Sequence, residues 1–480
     1  MEIDIESDFV DLTNLKFTLR IILLCLFILL GSQIPVHAQD EGLSGPIYIV
    51  QSGDTLWGIA QVFNVSLDDL VELNGISDPS NLSIGTQLVI PGLEGLQGTL
   101  LIVSVPFGEN FLSLSRRLQI PYDQMARLNR LTTPEAVAAG SPLIILERDG
   151  EENRFSGGRA EIRNGMSLLE LAIIQNSSPW MFADENGILG VRDSLPGDIL
   201  YFSDSTDTGP GALPPEIEEI ELVPNPVIQG KTAVFKITSP VDLTLQGTLI
   251  DKELHFFPDD QGYVAIQGVH AMIEPGYYPS TLSIRLADGS LFNFSQEIYL
   301  QDGGYPFDPP LVVNSETIDI ENTQPEDMEW FSIVEPVTPD KLWNDVFSAP
   351  VPDYLKECYP SGFGNRRSYN GSAYQYFHTG LDFCGTTGVE IYAPAPGKIV
   401  FTGDLIVRGS ATLIDHGWGV YTAYAHQSEI LVEVGDWVEK GQLIGRVGET
   451  GRVTGPHLHW EVIVSGVQVD PLDWLNTLYP

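Results

Sequence analysis

Two fixed spacings, each occurring three times, constrain the fold of this chain more than any other feature. Gly53, Gly108 and Gly165 are each followed twenty-one residues later by an asparagine, at Asn74, Asn129 and Asn186. Each asparagine is followed eleven residues later by a glycine, at Gly85, Gly140 and Gly197, and each of those three residues on by a leucine, at Leu88, Leu143 and Leu200. Self-similarity of this kind marks repeated supersecondary units. In the first copy, Ile47-Tyr48-Ile49-Val50 reads as a short strand of β-branched and aromatic residues. Gly53-Asp54 makes a turn, and Leu56, Ile59, Ala60 and Phe63 then fall at helical spacing. Phe111, Leu114 and Leu118 in copy two, and Leu168, Leu171 and Ala172 in copy three, follow the same rhythm. Ser66 or Asp68 can cap a second helix through Leu70 and Leu73, and Leu88-Val89-Ile90-Pro91 closes as a strand. The expectation is three β-α-α-β units, over residues 46–91, 100–147 and 160–203.

The stretch Y-I-V-Q-S-G-D-T-L-W-G-I-A-Q-V-F-N-V-S, with L-V-E-L-N and I-G-T-Q-L-V-I-P, resembles a LysM module across residues 46–91. Copies two and three keep the frame but carry Gly108-Glu109-Asn110 and Gly165-Met166-Ser167 in place of Gly53-Asp54-Thr55. The resemblance implies binding of N-acetylglucosamine-containing glycan. The sugar would lie between the first turn (Gly53, Asp54, Thr55 and Leu56) and the loop before the last strand (Ile76, Ser77, Asp78 and Leu82). Short polar and backbone groups would bond the N-acetyl amide while apolar walls cover its methyl. Copies two and three either share this role or serve as spacers.

Residues 204–215, D-S-T-D-T-G-P-G-A-L-P-P, read as a linker. Beyond it, strand-like runs recur between Gly, Pro and Asp, as at Ala233–Ile237, Leu243–Leu245, Tyr263–Ile266 and Thr281–Ile284. That pattern predicts a seven-strand-type β-sandwich over residues 216–301, acting as a spacer or partial lid. His255 and His270 have no ligand partners at useful spacing. Residues 302–340, rich in Pro and acid, read as an extended connector.

Five of the eight histidines fall after residue 377: His378, His416, His426, His457 and His459. The run G-P-H-L-H-W-E-V-I-V alternates as a strand does, so His457 and His459 share one face and Leu458 and Trp460 the other. Two imidazoles on one face suit a metal, or a metal and a catalytic base. Phe377-His378-Thr379-Gly380-Leu381-Asp382 adds a histidine and a carboxylate, and its glycine favours a loop entering a strand over a helix. His378, Asp382 and His459 would make a two-histidine, one-carboxylate zinc set with a fourth position open. A strand ending at His426 would bring a further imidazole which, with His457, can move protons and stabilise an oxyanion.

Together F-G-N-R, H-T-G-L-D, I-Y-A-P-A-P-G-K-I-V, D-H-G-W-G-V-Y-T-A-Y-A-H and G-P-H-L-H-W-E-V resemble the lysostaphin-type peptidoglycan metallopeptidases over residues 341–480. The resemblance implies a mainly antiparallel β domain and one zinc ion on His378, Asp382 and His459. It implies His457 as general base and His426 as transition-state stabiliser. It implies a substrate contact at Arg366, with Arg367 beside it. His416 matches a non-ligand position, and Glu461 shares the strand face of His459. The expected function is hydrolysis of peptide bonds in bacterial peptidoglycan, directed to glycan by the LysM copies. Relatives that lack ligands act as wall-binding or amidase-regulating proteins, but this chain keeps the full set. A cupin-type metal oxidoreductase would want a glutamate three or four residues past the second histidine, and Ser465 and the residues near it do not supply one.

A formal net charge of −41, from 65 acidic and 24 basic residues, argues against nucleic-acid and anionic-lipid partners. Lys16 and Arg20 precede the apolar run Ile21–Leu30, which is too short to span a bilayer comfortably, and Val36 and Ala38 supply small residues at cleavage spacing. An export signal over residues 1–38 is expected. It leaves an extracellular or wall-associated protein without an integral membrane domain. The acidic stretch from Glu2 to Asp11 is unusual for such a signal and leaves open an uncleaved anchor or a later start codon. Leu24 before Cys25 argues against a lipid anchor. The remaining cysteines, Cys358 and Cys384, form an even pair that points to a disulfide, the alternative being two separate buried thiols.

Overall fold

The computed structural model describes residues 45–118, 120–131, 137–147, 157–190, 194–202 and 207–480. The expected export signal lies outside them. The chain divides into two compact units, one ending at Leu100 and the other beginning at Leu101.

In the first unit, the strand Ile47–Ile49 is followed by helices Leu56–Val62 and Leu67–Leu73 and by the strand Gln87–Val89. The two strands pair antiparallel, with Tyr48 opposite Leu88. The Thr55 hydroxyl caps the first helix and Ser66, rather than Asp68, caps the second. Leu56, Ile59, Ala60, Phe63 and Leu70 are buried, as their helical spacing requires.

The periodic residues each have a mechanical task. The Asn74 side chain donates to the Leu70 and Val89 carbonyls and accepts from the Val89 amide, at 2.7–2.8 Å. It latches the end of the second helix to a strand fifteen residues on. The same three bonds recur at Asn129, to Met125 and Ile144, and at Asn186, to Phe182 and Tyr201. The six periodic glycines have φ between +83° and +95°, a region where a Cβ is strained. Leu88, Leu143 and Leu200 are buried. The repeat is therefore two left-handed turns, one amide latch and one core leucine.

The second unit begins with the rest of copy two, including helices Phe111–Arg117 and Tyr122–Asn129 and the strand Pro142–Glu147. Copy three follows, with the strand Gly158–Glu161, helices Leu168–Ile174 and Pro179–Glu185, and the strand Ile199–Phe202. The segment expected as a linker is packed where it is described: Gly209 to Pro214 are buried. Arg159 donates to the carbonyls of Pro210, Leu213 and Ile217 and pairs with Asp207. Pro and Gly signal irregular backbone, which stays buried here because a guanidinium satisfies its carbonyls.

Residues Glu219 to Gln301 form two facing sheets around one core that includes Phe235, Ile237, Leu282, Ile284, Phe292 and Ile298. One sheet has five strands and the other four, so the described sandwich exceeds the seven-strand expectation. The difference lies in edge pieces such as Val227–Ile228 and Lys252–Leu254, too short to show alternation. The four-stranded sheet also packs outward: Val234, Phe257, Val264 and Ile266 join Trp343, Leu381, Trp418 and Val464 in one cluster. Lys231 pairs with Asp470 and Asp473 across the same boundary. The sandwich is thus fused to the C-terminal domain.

The connector expected to be extended instead holds the helix Ile320–Val334, capped by the Asp319 side chain. Its Trp330 and Val334 are buried against Ala411, Leu413, Tyr421 and Ile463. The C-terminal sheet runs Leu381–Cys384, His457–Val464, Val420–Ile430, Gly409–Asp415, Gly397–Leu405 and Trp437–Val438, antiparallel throughout. Cys358 is disulfide-bonded to Cys384, at the end of the strand that carries Asp382. Among the described residues no helix is long and apolar enough to cross a membrane.

Candidate metal centre

Strand period places His457, His459 and Glu461 on one face of His457–Val464, and buries Leu458, Trp460 and Val462 on the other. Antiparallel pairing then sets Asp382 opposite His459. His378 enters from the loop before that strand. Gly380 is required there, because a Cβ would lie 2.4 Å from the Trp460 carbonyl and 2.8 Å from the His459 ring.

Three acceptor atoms converge. His378 Nε2 and His459 Nδ1 each lie 2.9 Å from Asp382 Oδ1 and 3.0 Å from each other. The partners on the far side fix the tautomers. His378 Nδ1 donates to the Gly362 carbonyl at 2.7 Å, and His459 Nε2 donates to Glu461 Oε1 at 3.1 Å. Both inward nitrogens therefore present lone pairs to one another and to a carboxylate. Such a triangle suits a cation, whether proton or metal, and its edges are close to the ~3.3 Å expected between ligands of a tetrahedral ion with bonds of zinc's length. The electrostatics report the same demand. Burial opposes protonation of His459, but bonds and charge from Asp382 and Glu461 outweigh it and push its pKa up to about 9. Burial lowers that of His378, and the two imidazoles hold the Asp382 carboxyl well below its ordinary value despite burial.

Glu461 is buried and also accepts from the Thr379 hydroxyl at 2.6 Å. Carboxylates behind a ligating histidine orient the ring and raise its basicity. Glu461→Gln is expected to weaken metal binding by about tenfold in chelator competition. Unchanged affinity would show that Glu461 does not tune the site.

Two further imidazoles flank the triangle. His457 Nδ1 donates to the Gly455 carbonyl and His426 Nδ1 to that of Thr450, which leaves both Nε2 atoms as acceptors. Their ring centroids are 5.0 Å apart, and His457 Nε2 is 3.5 Å from Asp382 Oδ1. His426 has φ +63°, at an irregularity where pairing slips between Ser410 and Thr412. Its amide donates to the Arg408 carbonyl instead of continuing the ladder. This strained bulge aims the ring at the site. Burial, then the neighbouring His459 and His457, lowers the pKa of His426 well below 6.5 and keeps it neutral.

Arg366 and Arg367 form a two-residue strand against Tyr376–Phe377, so they face opposite sides. Arg366 turns to Met272 and the Tyr305 ring. Arg367 turns to the site, bonding Ser361 Oγ at 2.9 Å and lying 3.9 Å from Asp382 Oδ2, with Asp308 behind it at 3.3 Å. Of the two neighbours, Arg367 is the one beside Asp382. Asp308 had no spacing signal, because it reaches the site from a distant segment.

His416 is fully buried, donates from Nδ1 to the Pro396 carbonyl and bonds Thr422 through Nε2, away from the triangle. Burial pushes its pKa down to about 4. The unfolded chain therefore binds more protons than the folded one between about pH 4 and 6.5. His416 costs nothing above pH 6.5 and removes up to about 3 kcal/mol as the pH falls to 4. The gap in urea midpoint between pH 7.5 and pH 5 should shrink in His416→Gln. An equal gap would refute this.

In the first repeat the named side chains build the turn itself. Asp54 Oδ2 accepts from Tyr48 and from the Gln51 amide, Thr55 caps the helix and Leu56 is buried. Asp78 Oδ1 accepts from the Ser80 amide and hydroxyl. Gly53 and the loop through Asp78 remain exposed.

The Peptidase family M23 model matches residues 376–471, and the LysM domain model matches residues 48–91 and 104–146. Copy two is thus recognised despite its altered first turn. Peptidoglycan DD-endopeptidase ShyA of Vibrio cholerae is 41% identical over 112 residues, which is 23% of this chain and 26% of that protein. DD-carboxypeptidase/endopeptidase Mpg of Neisseria meningitidis is 44% identical over 95 residues, 20% of this chain and 22% of that protein. The match thus spans about a quarter of these curated relatives. The antimicrobial peptidase lysostaphin from Staphylococcus simulans matches in structure with a TM-score of 0.24 at 28% identity, over 28% of this chain and 59% of that one.

Proposed function

From a chain that carries an M23 peptidase domain and two LysM domains, we propose an exported zinc endopeptidase that hydrolyses peptide bonds of bacterial peptidoglycan and is targeted to its glycan by LysM. The observation that carries this reading is the convergence of His378 Nε2, Asp382 Oδ1 and His459 Nδ1 with two free imidazole acceptors beside them. The neighbouring relatives named for DD-endopeptidase activity support the substrate class.

Two neutral imidazoles and a carboxylate suit zinc, which would supply Lewis-acid polarisation of the scissile carbonyl. His457 accepts a proton at Nε2 from the attacking water, and the Asp382 carboxylate 3.5 Å away steadies the imidazolium that results. His426, its ring centroid 5.0 Å from that of His457 and its Nδ1 held by the Thr450 carbonyl, borders the space where the oxyanion would develop. Arg367 faces the groove and anchors a substrate carboxylate or carbonyl. The site of action is the cell wall or periplasm.

The test is mass spectrometry of muropeptides from purified sacculi treated with the full chain, with chelator, and with zinc restored. Cross-linked species should fall and uncross-linked ones rise only where zinc is present. Shortened glycan with intact cross-links would refute the peptidase reading.

A further inference from the structure

The three repeats differ in what lies against their glycines. In copies one and three, a Cβ at Gly53, Gly85, Gly165 or Gly197 would meet no described atom within 4 Å. In copy two both turns are crowded. A Cβ at Gly108 would lie 2.7 Å from Ile220, 2.8 Å from Pro210 and 3.2 Å from Leu213, and one at Gly140 would lie 2.5 Å from Pro226. Their counterparts in copy one, Gly53 in the sugar-side turn and Gly85 in the turn before the last strand, are exposed.

The residues that replace the first-repeat signature make this contact. Phe107 occupies the place of Ser52, which is exposed, and of Asn164, also exposed. Its ring enters the sandwich core, edge-on to Phe235 and Phe294 at 5.2 and 5.6 Å. Glu109 stands where copy one has Asp54. It is buried, pairs with Arg117 and accepts from the Gly211 amide at 3.0 Å. The Gly108 amide donates to Gln296 Oε1 at 2.9 Å. At the second turn, the Ala139 amide donates to the Glu297 carbonyl and its carbonyl accepts from the Tyr299 amide, each at 2.7 Å, a parallel bridge beside the last sandwich strand.

We infer that copy two reads no glycan, and that its first turn, the counterpart of the sugar-side turn of copy one, has become, together with the turn at Gly140, an internal dock for residues 209–214 and the edge of the sandwich. The first half rests on the glycan reading of copy one; the dock does not. A sugar could reach Gly108 and Gly140 only by displacing Pro210, Leu213, Ile220 and Pro226 from a desolvated interface.

The experiment is hydrogen exchange on the full chain with tetra-N-acetylchitotetraose as probe. Exchange should slow around Gly53–Leu56 and Ile76–Leu82, and stay unchanged at Phe107–Phe111 and Ala138–Ser141. Slowing at the copy-two turns would overturn the inference. No slowing in copy one would overturn the glycan reading and leave the dock to a second variant. In Phe107→Ala, exchange in the sandwich strands Thr232–Thr238 and Leu291–Gln301 should accelerate by about tenfold or more. Acceleration confined to residues 101–131 and 137–147 would overturn the dock.

Discussion

Asp382→Ala is expected to leave the protein folded, without a stoichiometric ion and without measurable peptidase activity. The Asp382 Oδ1 atom contacts both inward histidine nitrogens, so its loss leaves two neutral imidazoles facing a divalent charge alone. Losing a partner behind a ligand costs about 10–100-fold in affinity, so losing the ligand itself should cost more, on the order of 10³-fold. The strand carrying Asp382 stays tied by its pairing to His457–Val464 and by the disulfide at Cys384. Metal content after dialysis, read with the circular dichroism spectrum, checks this. One retained zinc per chain with residual turnover would refute the ligand assignment.

His457→Ala should behave differently, keeping its zinc while turnover falls by about 10²–10⁴-fold with little change in KM. Its Nε2 is 3.5 Å from Asp382 Oδ1 yet belongs to no edge of the ligand triangle. Its side chain is partly exposed, so truncation costs little packing. The contrast separates a proton-transfer role from ligation. Loss of the ion from this variant, or near-normal turnover, would contradict that role.

Much of this architecture is legible in residue types that only certain geometries accept. A glycine at φ above +80° and an asparagine bonding a strand fifteen residues away leave fixed spacings in the sequence. The site was legible for a related reason, since strand period alone puts His457 and His459 on one face. Long-range packing left no such trace. Arg366 and Arg367 alternate faces, and which one meets the site depends on the pairing with Tyr376–Phe377. The connector helix buries Glu326, Trp330 and Val334, four residues apart each time, but Pro325 and the surrounding acids mask that face. Residues 209–214 read as a linker because nothing local reveals that Arg159 gathers their carbonyls.

The most direct test of the central claim is to count new amino termini released from purified sacculi by the wild-type chain and by His459→Ala, with and without zinc. Wild-type protein with zinc should release them steadily, and the variant and the zinc-stripped protein should not. Equal release by wild type and variant, or none from wild type with zinc bound, would contradict it.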